Sequence, residues 1–359
     1  MEGSSLIQLL TYASIMASAI FIPLMAQGFG ASPGIIGLIV GVYFLFYFFS
    51  SYLFGILSDR LGGKYLLRFG LLLSAIFFAM QIFAHDIFSL FIFRSLAGAA
   101  AGIFPAALAV YAFSEGKGKM GRFAGFGSLG WAIGSILAGL IAMSQTIFIM
   151  SSVFFMIAFF ISLQMEGGFR KGTAPVVFPW KLIRRNVRIY IPYFFRALGA
   201  NSIWSIFPLY LVFTGADKLW VGIAYFVNTF SQFLIMQYVE KFKNLYLINI
   251  GLLCTVATFM GYALFPHFWI VLFFQLLLAF SFSTLQVGSV QELLGKNVEQ
   301  STAMALLNSV VNFTAVIGPF FAGAIAQYYG YPGVMWFGAV LSFVGLVSFT
   351  SVLDAEQSP

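Results

Sequence analysis

The feature that most constrains this chain is a succession of twelve apolar runs, each 19 to 27 residues long, separated by short stretches of Gly, Pro and charge. They cover 6–29, 34–57, 65–84, 87–113, 123–142, 145–164, 189–213, 220–238, 245–264, 268–293, 302–328 and 334–352. About 20 helical residues cross the hydrocarbon core of a bilayer. The runs are continuous rather than alternating, and each far exceeds a barrel strand of about ten residues, so they predict helices. Twelve such spans use roughly 240 residues and leave only short loops. Composition agrees: only 8% of the residues are charged and 61% are hydrophobic, against roughly 25% charged in an average soluble domain. Such a chain could not cover its own surface in water. A cytosolic enzyme, a disordered chain, a collagen and a disulfide scaffold are all excluded. The expected fold class is an all-α integral membrane protein with twelve transmembrane helices.

The net charge of +7 would suggest nucleic acid in a soluble protein. Its distribution argues otherwise. Fifteen of the 18 Lys and Arg lie on one set of alternate loops, at Arg60, Lys64, Arg68, Lys117, Lys119, Arg122, Arg170, Lys171, Lys181, Arg184, Arg185, Arg188, Lys241, Lys243 and Lys296. Lys218 alone lies on the other side, and Arg94 and Arg196 lie within spans. The positive-inside rule makes the basic loops cytoplasmic, and an even number of spans brings both termini to that side. No nucleic-acid partner is expected. The basic cluster at 170–188 has a simple topological explanation, with contact to anionic lipid headgroups as the alternative. The single cysteine, Cys254, falls in an apolar run and allows no intrachain disulfide. His85 and His267 stand far apart, and no spacing suits a metal, so no cofactor is expected. The first apolar run is too long for a signal peptide and lacks a basic n-region, so it reads as a retained span.

One long polar interruption, from Met165 to Arg188, divides the chain. It reads as a basic linker, residues 165–188, between an N-terminal six-helix bundle, 1–164, and a C-terminal one, 189–359. Internal repetition supports the division. Ile22-Pro23-Leu24 and Gly30-Ala31 recur 185 positions later as Phe207-Pro208-Leu209 and Gly215-Ala216. Asp59-Arg60, Tyr65-Leu66 and Gly70 recur 181 later as Glu240-Lys241, Tyr246-Leu247 and Gly251. Ile133-Gly134, Ala138-Gly139 and Ile141-Ala142 recur 184 later as Ile317-Gly318, Ala322-Gly323 and Ile325-Ala326. Each copy spans an even number of helices, so the two share one orientation. Parallel halves related by an axis along the membrane normal form one of the transporter architectures.

The loop after the second span reads Gly55-Ile56-Leu57-Ser58-Asp59-Arg60-Leu61-Gly62-Gly63-Lys64. It resembles the signature of the major facilitator superfamily, G-x-L-x-D-R-x-G-R-K, departing only where Gly63 replaces a basic residue. The fourth span, with Arg94, Ala97, Gly98 and Gly102, is similar to that family's R-x-x-x-G motif. The fifth, with Gly130, Gly134-Ser135 and Gly139, resembles a further motif whose drug-antiporter form has Gly-Pro instead. The resemblance implies two pseudo-symmetric six-helix bundles, with spans one, four, seven and ten lining a central cavity. It also implies that Asp59 faces the start of the eleventh span, near Ser301-Thr302. A carboxylate there caps helical N–H groups and complements the dipole. Gly55, one turn earlier, would let the backbones approach closely. Gly55, Asp59, Arg60, Gly62 and Lys64 are therefore expected to form a cytoplasmic gate, with Glu240 as the repeat's counterpart facing Arg122. The alternative is an ordinary solvated loop.

Arg94 and Arg196 are the charges well inside spans, where a cation costs roughly 2.5–3.5 kcal/mol on insertion scales and usually marks a pathway. Arg94 lies about 10 Å from the outer face. Each can attract an anionic substrate group, or snorkel or bond helix carbonyls. All 11 acids fall at span ends or outside them. Proton coupling would therefore use Glu292, or the substrate would carry its own proton, or transport is uncoupled. The missing acid also disfavours a cationic drug. Tyr12, Asn201, Trp204, Tyr210, Gln275 and Gln286 lie on the cavity-lining spans, and Asn228, Gln232, Asn308 and Asn312 on the eighth and eleventh. Arg94 and Gln275 are repeat-equivalent. Each amide can touch substrate or serve as interhelical glue. Other matches dissolve in context. Gly125-x-Gly127-x-x-Gly130 fits a dinucleotide pattern but sits in a span with no preceding strand, so helix packing is the better reading. Asn312-Phe313-Thr314 is a sequon buried in a span, and no Gly-x-x-x-x-Gly-Lys loop is present.

The function these features predict is movement of a small solute, an organic anion or polar metabolite, by alternating access of two bundles about a midplane site. Pro23, Pro105, Pro208 and Pro319 are expected to supply bends. The alternatives are efflux of hydrophobic compounds and a receptor on the same fold that translocates nothing. No enzyme chemistry is expected. A small-molecule substrate and membrane lipid are the expected partners, and a monomer in the cell membrane the expected assembly.

Overall fold

The computed structural model describes residues 3–61, 63–114, 119–165, 180–239, 241–298 and 300–357. Among these the chain is helical almost throughout. In lipid the backbone can satisfy its N–H and C=O groups only internally, which selects helices for apolar runs of this length. The helices are α1 (Gly3–Ile20), α2 (Ile22–Gly28), α3 (Pro33–Leu61), α4 (Gly63–Met80), α5 (Ile87–Ala101), α6 (Pro105–Ser114), α7 (Lys119–Ile141) and α8 (Ser144–Leu163). They continue as α9 (Trp180–Arg185), α10 (Val187–Phe213), α11 (Lys218–Val239), α12 (Asn244–Leu264), α13 (Phe268–Lys296) and α14 (Gln300–Gln357). Gly330 interrupts α14 with φ 67° and ψ −177°, so α14 carries both the eleventh and the twelfth expected spans.

Nine stretches of the described residues are long and apolar enough to cross a membrane, with Thr302–Thr350 taken as one. Helix α10 is absent from that set because Arg188, Arg196, Asn201 and two prolines dilute its hydropathy. Helix α7 enters only as the shorter apolar segment Gly125–Ile141. With these two and the division at Gly330, the helices are consistent with the twelve expected spans.

Two of the four bends expected at prolines are full breaks, and one residue departs from its expected place. The first span is two helices, broken at Phe21 (φ −98°, ψ 0°) just before Pro23. The fourth is also two, because Gly102-Ile103-Phe104 leaves the helix and Pro105 opens α6 at its first position. Proline lacks an N–H and is favoured at a helix start. Pro208 and Pro319, by contrast, remain inside α10 and α14. Arg188, expected in the polar linker, lies in α10 and is buried, with its guanidinium over the Phe349 ring at 5.4 Å. A long aliphatic stem beside an aromatic face makes that placement tolerable.

The chain divides into two compact units, residues 1–175 with 216–229, and residues 176–215 with 230–359. In the first, α7 lies along α1. A Cβ on Gly130 or Gly134 would overlap the carbonyls of Leu9 and Ala13, so small residues at this four-residue spacing bring the backbones together. Ser14 and Ser151 exchange hydroxyl-to-carbonyl bonds at 3.1 Å in both directions and tie α1 to α8. Phe78, Phe104 and Phe155 fill the core between them. The start of α11 belongs to this unit: Gly222 sits against Gly139, and the Lys218 Nζ donates to the Ala142 carbonyl at 3.2 Å. In the second unit α10 packs along α14, where a Cβ on Gly199 would lie 2.9 Å from the Gly338 Cα. Leu182, Tyr190, Tyr193, Leu293 and Phe349 are buried together there. The repeat has structural counterparts. Gly30 and Gly215 (30 + 185) both take positive φ, 80° and 104°, at equivalent helix ends. Ser74 and Thr255 (74 + 181) both bond the carbonyl one turn back, Gly70 at 2.7 Å and Gly251 at 2.9 Å.

Candidate substrate site

Each unit encloses a guanidinium. In the first, Arg94 on α5 is 2% exposed. Its Nη1 donates to Ser18 Oγ on α1 and to Gln81 Oε1 in the turn after α4, both at 3.4 Å. Its plane lies 4.1 Å over the Tyr43 ring on α3. A Cβ on Gly98 would overlap the Tyr43 carbonyl, so glycine brings α5 close enough to α3 for this stacking. The Arg94 Nε has no hydrogen-bond partner, and no carboxylate pairs with Arg94 among the described residues. Four segments thus converge on one cation.

In the second unit Arg196 on α10 is 4% exposed. Its Nε donates to Thr255 Oγ1 on α12 at 3.4 Å, and its guanidinium lies 5.2 Å over the Phe282 ring on α13. Thr255 shares a hydrogen bond with Ser281, which also donates to the Gly251 carbonyl at 2.8 Å. One turn before Arg196, the Tyr193 hydroxyl bonds Gln286 Oε1. No carboxylate pairs with Arg196 among the described residues, and neither Nη makes a hydrogen bond there. The arrangement therefore orients a guanidinium through one nitrogen and leaves its outer edge unclaimed. That edge is suited to a carboxylate or phosphate, which an arginine binds through two parallel N–H bonds.

The other expected residues are placed as follows. Asn201 Nδ2 donates to Thr314 Oγ1 at 2.9 Å and joins α10 to α14. Trp204 is half-buried, edge-on to Phe207 with ring centroids 5.1 Å apart. Gln275 and Asn228 are fully buried, whereas Asn308 and Asn312 are exposed. Tyr210 donates to the Tyr262 carbonyl at 2.6 Å within an aromatic nest with Phe207. Glu292 is buried, with Oε1 2.7 Å from Lys296 Nζ and Oε2 accepting from Asn244 Nδ2 at 3.2 Å. Of the expected gate, Gly62 and Glu240 lie outside the described residues, as do the side chains of Asp59, Arg60 and Arg122 and the burial of Ser301. Lys64 is half-buried at the start of α4. A Cβ on Gly55 would meet Ala106, in its own unit, at an ordinary 3.8 Å. Outside the spans, Asp86 caps α5, with Oδ1 accepting from the Ser89 N–H at 2.7 Å. That bond holds the Asp86 carboxyl below the ordinary carboxylate range.

The family model of the Major Facilitator Superfamily matches residues 4–299. The chain belongs to the major facilitator superfamily. It is a multi-pass membrane transporter of small solutes with that family's fold. Its relatives include the multidrug resistance protein MdtG of Proteus mirabilis (strain HI4320), 25% identical over 341 residues that cover 87% of this chain and 84% of that protein. Among solved structures, the nucleoside transporter NupG superposes with a TM-score of 0.78 at 13% identity, covering 98% of this chain and 99% of that one. A bacterial homologue of the human lysosomal transporter Spinster, inward-facing and occupied, gives 0.79 at 14% identity, covering 97% and 95%. The human organic anion transporter MFSD10 gives 0.74 at 14% identity, covering 97% and 98%. At these identities the structural likeness establishes the fold.

Sequence reasoning found both arginines and missed what surrounds them. Ser18, Tyr43 and Gln81 come from three other segments, and Thr255, Ser281 and Phe282 from two. The one usable signal was the Gly70–Gly251 repeat, which places a hydroxyl four residues on in both copies.

Proposed function

We propose that this transporter carries a small solute with an anionic group, moved by alternating access of the six-helix halves 1–164 and 189–359 joined by the 165–188 linker. The observation that carries the reading is the buried Arg196, held by Thr255 and Phe282 with no carboxylate partner among the described residues. A buried cation without a counter-charge is costly, and an anionic solute supplies what is missing. Arg94, braced by Ser18, Gln81 and Tyr43, is assigned the structural role of a strut inside its unit. Gln275, Asn201, Trp204, Asn228 and Asn312 are the candidates for the remaining solute contacts.

The positive-inside distribution supports a plasma-membrane protein with both termini and the linker in the cytoplasm. On that side the gate is assigned to Gly55, Asp59, Arg60, Gly62, Lys64 and Glu240, on the strength of the loop motif. On the opposite side, the Gly139–Gly222 contact and the bond from Lys218 to Ala142 form a seam that must part when the site opens outward. If transport is proton-coupled, Glu292 is the group that titrates, against Lys296 and Asn244.

Uptake into proteoliposomes, with a panel of organic anions and dyes and with or without a pH gradient, tests the reading. Anion flux lost in Arg196→Ala and kept in Glu292→Gln without a gradient supports it. Unchanged anion flux in Arg196→Ala overturns it. A second reading, export of hydrophobic compounds, is favoured by the likeness to a multidrug resistance protein. Saturable dye flux in the absence of anion flux selects it.

A further inference from the structure

Helix α9 is short, yet it is firmly held. Leu182 is 5% exposed and packs with Ile189, Tyr190, Leu293 and Phe349. Directly after α9, Asn186 and Asn297 exchange side-chain amide bonds, each donating to the other at 3.0 Å. Each amide also bonds one helix turn back, Asn186 to the Leu182 carbonyl at 3.0 Å and Asn297 to the Leu293 carbonyl at 2.8 Å. Arg185 Nη1 adds a bond to Asn297 Oδ1 at 3.4 Å. Two buried amides satisfied in this way fix the direction in which α9 leaves the bundle.

The other side of α9 points away from the protein. Trp180 is 67% exposed, and Lys181, Arg184 and Arg185 are exposed beside it. Neither Lys181 nor Arg184 pairs with an acid among the described residues. An indole prefers the headgroup layer, where its ring is apolar and its N–H is wet. Cations held at that level attract anionic headgroups. A rigidly mounted Trp with unneutralised Lys and Arg neighbours is thus complementary in both polarity and charge to one ligand class.

We propose that the outward face of α9, formed by Trp180, Lys181, Arg184 and Arg185, is a docking site for anionic phospholipid of the cytoplasmic leaflet. This rests on the topology given above, which puts the linker in the cytoplasm. Because α9 runs into α10 through Asn186, lipid bound there steadies the helix that carries Arg196.

The test is native mass spectrometry of the purified protein released from mixed phosphatidylglycerol and phosphatidylcholine micelles. The wild type should retain phosphatidylglycerol preferentially. The Lys181→Gln, Arg184→Gln double variant should lose that preference by about tenfold, and Lys241→Gln with Lys243→Gln should change it less than about twofold. Equal losses in the two double variants would reduce the effect to general basicity and overturn the site. Displacement of phosphatidylglycerol by an equal concentration of inorganic phosphate would assign the site to a soluble phosphate and overturn the lipid. Thiol labelling of a Lys181→Cys variant in oriented vesicles separates the two premises. Labelling from outside overturns the topology, whereas labelling from inside without lipid preference overturns the docking site alone.

Discussion

At the scale of the residue, the two arginines should separate under mutation. If Arg196 holds the solute as proposed, Arg196→Ala should lower anion uptake about 10- to 100-fold, with little change in the melting temperature of the empty protein. Arg94→Ala removes a cation that joins four segments and should cost about 2 kcal/mol of stability, seen as a lower melting temperature in detergent. The reverse pattern would exchange their roles. Asp86 gives a pH signature. Its bond from the Ser89 N–H favours the charged carboxylate and depresses its folded pKa. The stabilisation is therefore present above the unfolded value of about 3.9 and is lost as pH falls through the folded one. Melting of wild type and Asp86→Ala should differ at pH 7 and converge once the pH has fallen through the lowered pKa of the folded protein. The sequence made the arginines visible because charge is rare in a span. It could not reveal Tyr43 or Phe282 as their ring partners, since one aromatic among 46 Phe and 16 Tyr carries no positional signal.

At the scale of the element, glycine spacing decides which helices touch. Gly134→Leu should force α7 off the Ala13 carbonyl of α1 and cost roughly 1–3 kcal/mol or prevent assembly, read as lost monodispersity on size exclusion. Gly125→Ala, with nothing within 4 Å of the added carbon, should be neutral or stabilise by about 0.5–1 kcal/mol. A Gly125→Ala variant as damaged as Gly134→Leu would discredit the packing account. Helix positions were legible because continuous apolar runs have one solution in lipid. Bends at Pro23 and Pro105 were legible too, but not that they are full breaks at Phe21 and Gly102-Ile103-Phe104, because these prolines look in sequence much like Pro208 and Pro319, which their helices absorb. The burial of Arg188 was equally hidden: its position beside a basic linker reads as solvated, and only the Phe349 ring, 161 residues later (349 − 188), gives it a place.

At the scale of the whole molecule, the proposed alternating access requires the seam around Lys218 to open. Ala142 bonds Lys218 from a left-handed backbone position, φ 55°, at the end of α7. Joining Ala142→Cys to Lys218→Cys with a short thiol cross-linker should abolish flux, and reduction should restore it. Flux at the wild-type rate through the joined protein would end the alternating-access account. The duplication was readable from offsets of 181 to 185 residues, and so was the family.

Duplicated ancestry need not give duplicated mechanics. Where the first copy has α1 and α2, and α5 and α6, the second has the unbroken rods α10 and α13. One twin is jointed and the other stiff. Deuterium should enter the amides flanking Phe21 and Ile103 well before those at the matching heights of α10 and α13, because carbonyls and N–H groups at a joint open without unwinding a rod. Flexing of this kind would then be concentrated in the amino-terminal copy, with the other serving as its abutment.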